Sequence, residues 1–290
     1  MNIESSRLLV TGGAGLIGSA TIDLLLREHS PRSIVVFDNL ARGSLSNIES
    51  ALRDSRVSFV QADVRDAQAV LLATRQADAV LHLAALRITE CAATPRLGFE
   101  VMCDGSFNVL EAARTCGVAR LVAASSASIY GLARHFPTTE EEPPYDNRTL
   151  YGAGKSLLEG LLRAGAASGG TPYAALRYFN VYGPRMDRHG RYTEVLVRWM
   201  ERIAEGLPPL IMGDGGQTMD FVYIDDVARA NVAALAADVD DEVFNVASGV
   251  ETSLSELAQM LIEVMESPLR PEHVPERSVN PVRRRLVKME

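Results

Sequence analysis

The sequence is short of cysteine, of aromatic rings and of positive charge. Its three cysteines, Cys91, Cys103 and Cys116, are spread through 290 residues. They are too few and too scattered for a disulfide framework or a zinc site, and read as small core or helix residues of a reducing compartment. His29, His135, His189 and His273 lie far apart and show no metal-ligand spacing. The fifth histidine, His82, falls inside a strand pattern and reads as a packed, hydrogen-bonded residue rather than an acid or base. Basic residues number 29 against 37 acidic ones, a formal net charge of −8, which argues against a nucleic-acid partner. No apolar run approaches the ~20 residues that cross a bilayer. The N-terminus enters a strand pattern without a basic, then apolar leader. A cytoplasmic protein with no membrane partner is therefore expected.

What is present is alternation. Short β-rich runs at 7–11, 33–38, 57–63, 79–85, 120–126 and 173–180 alternate with helical stretches, among them 16–28, 95–116 and 151–168. Continuously apolar strands alternating with helices imply a parallel sheet covered on both faces. Sites in such sheets lie at the carboxyl ends of the strands. After Asn180 the pattern becomes rich in Gly, Pro and charge, with a helix at 193–205 and short strands at 220–224 and 243–246. Asp225-Asp226 reads as a helix N-cap pair rather than a magnesium site.

The first strand runs into Gly12-Gly13-Ala14-Gly15-Leu16-Ile17-Gly18, and a helix follows. Glycines at 12, 15 and 18 suit a tight turn, close approach of backbone to a pyrophosphate, and close helix–strand packing. The helix N-terminus then faces the anion with unpaired N–H groups and the positive end of its dipole. Asp38 closes the next strand about twenty residues on, where a carboxylate accepts from ribose hydroxyls and repels a 2′-phosphate. This favours NAD over NADP.

Tyr151 and Lys155 open a helix and, four apart, share one of its faces. A phenol with a pKa near ~10 is a poor base at neutral pH. A neighbouring ammonium and an oxidised nicotinamide both favour the phenolate. Tyr151 can then exchange a proton with a substrate hydroxyl, while Ser126, at a strand end, hydrogen-bonds the same oxygen.

These segments, together with FDNL (37–40), HLAA (82–85), SSASIYG (125–131), YGAGK (151–155), LRYFNVYGPR (176–185), DFVYIDDVA (220–228) and FNVASG (244–249), resemble the extended short-chain dehydrogenases/reductases of the nucleotide-sugar epimerase/dehydratase family, UDP-hexose 4-epimerases above all. The resemblance implies a Rossmann-type, doubly wound α/β fold with a smaller, discontinuous C-terminal substrate lobe. The NAD-binding domain would span 1–180, with 220–250 returning to it, and the lobe 181–219 and 251–290. NAD would contact Gly12, Gly15, Leu16 and Ile17 at the pyrophosphate, and Asp38, Asn39, Leu40, Arg42 and Gly43 at the ribose. Asp63 and Val64 would meet the adenine. Leu83, Ala84, Ala85 and Arg87 would meet the nicotinamide half, with Ser126, Tyr151, Lys155, Tyr178 and Phe179. Asn180, Thr193, Leu210, Met212 and Arg277 would join Ser126 and Tyr151 around a UDP-sugar. Relatives also pair through two helices of each copy, so the resemblance implies a homodimer with a four-helix interface.

Two positions depart from the pattern. Met219 replaces an Arg that meets substrate phosphates in many relatives, which leaves Arg277, or Arg283 to Arg285, for that contact. Met102 replaces an Asn near the cofactor. Beside Ser126, dehydratases of the family carry Asp and Glu, decarboxylating relatives a Glu, and 3,5-epimerases a Cys; this chain has Ala127 and Ser128. The resemblance thus implies oxidation of one carbinol and its reduction from the opposite face, inverting C4. The rivals are an oxidoreductase, dehydratase or decarboxylase on the same scaffold, or a catalytically idle NAD-binding protein.

Overall fold

Strands β1 (Arg7–Thr11), β2 (Ser33–Asp38), β3 (Val57–Gln61), β4 (Ala79–His82), β5 (Arg120–Ser126) and β6 (Tyr173–Tyr178) form on the short runs of β-branched and aliphatic residues. They are followed by β7 (Asn180–Tyr182), β8 (Leu210–Met212), β9 (Thr218–Tyr223), β10 (Glu242–Val246), β11 (Glu251–Ser253) and β12 (Glu272–Val274). The helices are α1 (Leu16–Glu28), α2 (Leu45–Ile48), α3 (Ala67–Thr74), α4 (Ile88–Ala93), α5 (Pro95–Phe99), α6 (Ser106–Thr115), α7 (Leu150–Ala167), α8 (Val195–Ala204), α9 (Ile224–Ala236) and α10 (Leu254–Val264). The structure, a computed structural model, describes residues 1–144, 146–187 and 195–275.

Seven strands make one sheet in the order β10-β6-β5-β4-β1-β2-β3, and every pairing in it is parallel. Alternate residues feed two cores, as the period of two requires. Leu8 and Val10 face α1 and α9 with Ile22 and Leu235. Leu9, Val80 and Leu121 face α6 and α7 with Val109 and Leu158. Both β5 and β6 are buried along their whole length. This is the doubly wound, Rossmann-like α/β architecture. A smaller sheet of β11, β9 and β7 and a pair of β12 with β8 complete the chain. Among the described residues no helix is long and apolar enough to cross a membrane.

Four expectations need correction. The helix expected over 95–116 is α5, a π-helical segment at Glu100–Gly105, and α6. The π segment inserts an extra residue into the turn, and Gly105 lets it lie against Val64, where a Cβ would come within 2.7 Å of the valine side chain. The strand expected over 173–180 is two strands in two sheets, divided at Phe179, whose amide donates to Val246 in β10 (3.0 Å). The fourth strand stops at His82: Leu83 N–H still completes the rung to Thr11 O on β1 (3.0 Å), but the amides after it turn to side chains, Ala84 N–H to Thr11 Oγ1 (3.4 Å) and Leu86 N–H to Met102 Sδ (3.4 Å). Asp225 and Asp226 lie in the first turn of α9, with Tyr223 at the N-cap; there they complement the helix dipole.

Candidate active site

A cavity of about 980 Å³ opens at the carboxyl ends of β1, β2, β4, β5 and β6. On one side it is lined by the glycine turn. Gly12 has φ +68°, and a Cβ there would fall 2.7 Å from Ala84 N. The turn therefore needs glycine on both counts, backbone conformation and space. Helix α1 begins at Gly15 with no side-chain cap, so its first N–H groups face the cavity beside Leu16 and Ile17. Asp38 is buried at the end of β2; its carboxylate accepts from Ala14 N–H (3.1 Å) and Leu40 N–H (2.8 Å). Burial raises its pKa against those bonds and against Arg42. Asp63 receives Asn39 Nδ2–H (2.8 Å) and is held at a pKa of about 2, chiefly by its bonds to Arg65. Uncapped amides, a turn with no room for Cβ and a buried carboxylate one strand away fit a dinucleotide.

Every residue expected around the dinucleotide lines this cavity except Leu40. Leu40 packs toward the core beneath the sheet at φ +59°, and its part is to give its amide to Asp38. Gly43 is close-packed, its Cβ position only 2.9 Å from Asp38 Oδ1.

The opposite wall carries Ser126, Tyr151 and Lys155. Thr149 caps α7, its hydroxyl accepting from Gly152 N–H (3.0 Å). Tyr151 thus sits in the first turn, with Lys155 one turn on. Lys155 is buried; its Nζ donates to Ala124 O at 2.5 Å and lies 5.8 Å from the centre of the Tyr151 ring. Burial lowers its pKa to about 8, offset in part by Cys91 and Glu159. Ala124 precedes Ser126 on β5 by two residues, so the ammonium ties the helix of the phenol to the strand of the serine. Ser126 Oγ accepts from Ser128 N–H (3.1 Å).

Further along α7 a buried ion pair locks the helix down. Arg177 on β6 meets Glu159 twice, Nε–Oε1 at 2.9 Å and Nη2–Oε2 at 2.7 Å. Ser125 Oγ–H donates to Glu159 Oε1 (2.5 Å), and Arg177 also donates to Tyr130 Oη (2.9 Å) and Glu140 O (2.8 Å). Tyr130 passes its own proton to Asn245 (2.6 Å) on β10. Each of the side chains in this hydrogen-bond network has a partner, which is the condition for keeping charge inside.

The remaining wall comes from the C-terminal half. Tyr178 lines the cavity, but its hydroxyl donates to Asn231 Oδ1 (2.6 Å) and burial pushes its pKa up. Phe179 is buried against Tyr130, with ring centres 6.5 Å apart. Asn180 Nδ2–H donates to Asp220 O (3.1 Å). Leu210 and Met212 line the cavity from β8, and Met219 from β9. Arg87 stands at the N-cap of α4, 3.6 Å from Asp187. Thr193, Arg277 and Arg283 to Arg285 lie outside the described residues.

Reasoning from sequence passed over Arg185, Asp187, Arg198, Trp199, Arg202 and Phe221, all on this wall. Arg185, paired with Asp23 at 2.6 Å, ends the LRYFNVYGPR run and could have been found there. Arg198 and Arg202 stand four apart on α8, a spacing visible in the sequence; that this face meets the cavity was not. Asp220 was likewise given no role. It is fully buried and receives Ser248 N–H, Ser248 Oγ–H and Gly249 N–H at 2.7–2.8 Å, clamping the loop after β10 to β9. All three cysteines are free thiols, and among the described residues no group of three His, Cys, Asp or Glu could hold a metal ion.

Comparison with known proteins agrees with this geometry. Residues 8–247 match the family described as NAD dependent epimerase/dehydratase. A UDP-glucose 4-epimerase of Mycolicibacterium smegmatis is 36% identical over 274 residues, covering 93% of this chain and 86% of that protein. A UDP-N-acetyl-alpha-D-glucosaminuronate decarboxylase of Bacillus cytotoxicus is 32% identical over 287 residues, covering 95% and 85%. The crystal structure of the Thermus thermophilus UDP-glucose 4-epimerase in complex with NAD matches with a TM-score of 0.86 at 35% identity, over 97% of this chain and 90% of that one. With the glycine turn, the phenol and the ammonium gathered on one cavity and the match running from the first strand to the end of the tenth, the chain belongs to the NAD-dependent epimerase/dehydratase family.

Proposed function

We propose that the protein inverts C4 of a UDP-sugar through a transient 4-keto intermediate. The observation that carries this reading is the side chains around Ser126. The trio of Ser126, Tyr151 and Lys155 shares the cavity, while Ala127 and Ser128 follow the serine where relatives with further chemistry place an acid or thiol. NAD, when bound, supplies the acceptor and donor of hydride. Tyr151 takes the proton of the C4 hydroxyl as that carbon is oxidised and returns it after the keto sugar has turned about its diphosphate link. Ser126 donates a hydrogen bond to the same oxygen as its negative charge develops. The Lys155 ammonium favours the phenolate that Tyr151 needs. Leu210 and Met212 are assigned to the uracil side and Asn180 to the sugar–diphosphate side.

The test is incubation with a panel of UDP-sugars without added cofactor, read by NMR. Paired C4 epimers approaching equilibrium are expected, and Tyr151→Phe should slow turnover by at least about a hundredfold, the usual contribution of a positioned acid–base. Carbon dioxide release, net water loss or stoichiometric consumption of NAD(P)H would replace this reading with that of a decarboxylase, dehydratase or oxidoreductase. Near-normal turnover by the Phe variant would remove Tyr151 from its role.

We further propose that two copies pair through α5–α6 and α7. Phe99 and Phe107 are exposed at 44% and 51%, and Leu157 at 42%, so each of these helices offers a large apolar side chain to a partner.

A further inference from the structure

His82 ends β4 behind the cavity, buried, with both ring nitrogens engaged: Nδ1 lies 2.8 Å from Thr11 Oγ1 and Nε2 lies 3.1 Å from Ser106 Oγ. The neighbouring bonds determine where the protons are. Ser106 Oγ–H donates to Met102 O (2.8 Å), so its hydrogen is used and its oxygen accepts from Nε2–H. Nδ1 is then the bare nitrogen and accepts from Thr11 Oγ–H. Thr11 Oγ1 in turn accepts from Ala84 N–H (3.4 Å). Each hydroxyl gives one hydrogen and takes one. The chain runs in one direction, Ala84 to Thr11 to His82, and His82 to Ser106 to Met102.

One end lines the cavity at Ala84 and the other, Met102, lies behind it among residues that include Tyr151. Ala84 lies against Gly12, so close that a Cβ on the glycine would touch it. Met102 sits in the π segment among Leu150, Tyr151, Ala85 and Leu86, accepts from Leu86 N–H through Sδ, and packs on Gly154, whose Cβ position is 2.9 Å from its own. We propose that His82 is a positioning residue: a neutral imidazole, protonated on Nε2, that registers the 83–86 wall of the cofactor cavity against the helical turn beneath Tyr151. A second proton would turn Nδ1 into a donor and leave the Thr11 hydroxyl without its acceptor. Burial and the nearby Lys155 charge oppose that proton, lowering the imidazole pKa to about 3. The assignment rests on the cofactor reading of the cavity but not on which sugar reacts.

Protein labelled with ¹⁵N at histidine tests it directly, with the signals lost in His82→Gln assigned to residue 82. A neutral ring with the proton on Nε2 is expected across the pH range around ~6.5 where an ordinary imidazole titrates. The second readout is the rate at which the holoprotein loses NAD on dilution. His82→Leu, which breaks both links, should lose NAD about tenfold faster, as orphaned buried hydroxyls predict. His82→Gln, whose amide can both donate and accept, should stay within about threefold of the parent. Should the Leu variant not fold, Ser106→Ala cuts one link and should also release NAD faster, by several-fold. A proton on Nδ1, a ring that titrates near ~6.5, equal loss rates for the Leu and Gln variants, or an unchanged rate in Ser106→Ala would overturn the proposal. None of these readouts needs a sugar, so a failed C4 reaction leaves them standing.

Discussion

Among single residues, Lys155 carries two opposite pH dependences. Its pKa in the fold is about 8, against ~10.4 in an unfolded chain. Between those values the unfolded chain holds a proton that the folded one has released, so this group makes stability rise with pH across that window. Chemistry that needs the ammonium runs the other way and declines as pH passes about 8. Thermal unfolding and kcat/KM measured from neutral pH upward should therefore diverge. In Lys155→Met the upward slope in stability should vanish along with most of the activity. A parallel fall of both quantities in the parent would contradict this account. Asp38 was legible from its place twenty residues past the glycines, because a fixed backbone motif sets that distance. Leu40 was not: it packs on the core with a positive φ of 59°, a conformation that a leucine does not announce.

For the elements, the buried pair between α7 and β6 matters most. Glu159 and Arg177 are 7% and 6% exposed at their side chains, whereas Arg163 and Asp241, also joining α7 to the sheet edge, are 60% and 42% exposed. Glu159→Gln leaves the guanidinium buried with half its compensation and should cost about 3–5 kcal/mol. Arg163→Ala should cost no more than about 1 kcal/mol. Denaturant titration of both variants checks the ranking, and equal losses would show that the ion pair does not anchor α7. The alternation of strands and helices up to β6 could be read because each element is set by local periodicity. The π turn at 100–105 could not, because one inserted residue barely alters a pattern averaged over six turns. Nor could the change of sheet at Phe179, since Tyr178 and Asn180 are both ordinary strand residues; what separates them is their partners, β10 for Tyr178 and β9 for Asn180, both distant in sequence.

On the scale of the whole molecule, the cofactor side of the cavity is built from consecutive motifs and could be anticipated. The wall of Arg198, Trp199 and Arg202 arises only when α8 docks, and docking leaves no local signature. The exposed Phe99, Phe107 and Leu157 also acquire meaning only at this scale. Light scattering should give about twice the mass of one 31.4 kDa chain, and Phe107→Glu should shift the protein toward one chain, because a charge buried at an apolar contact is expensive. A monomeric parent would exclude pairing through this face. The crossing at Phe179 has one more consequence. Only that residue separates the last rung of the seven-stranded sheet from the first of the smaller one, so there is no slack between them. A shift in how β7 pairs with β9 therefore has no intervening loop to take it up before it reaches the strand that bears Tyr178.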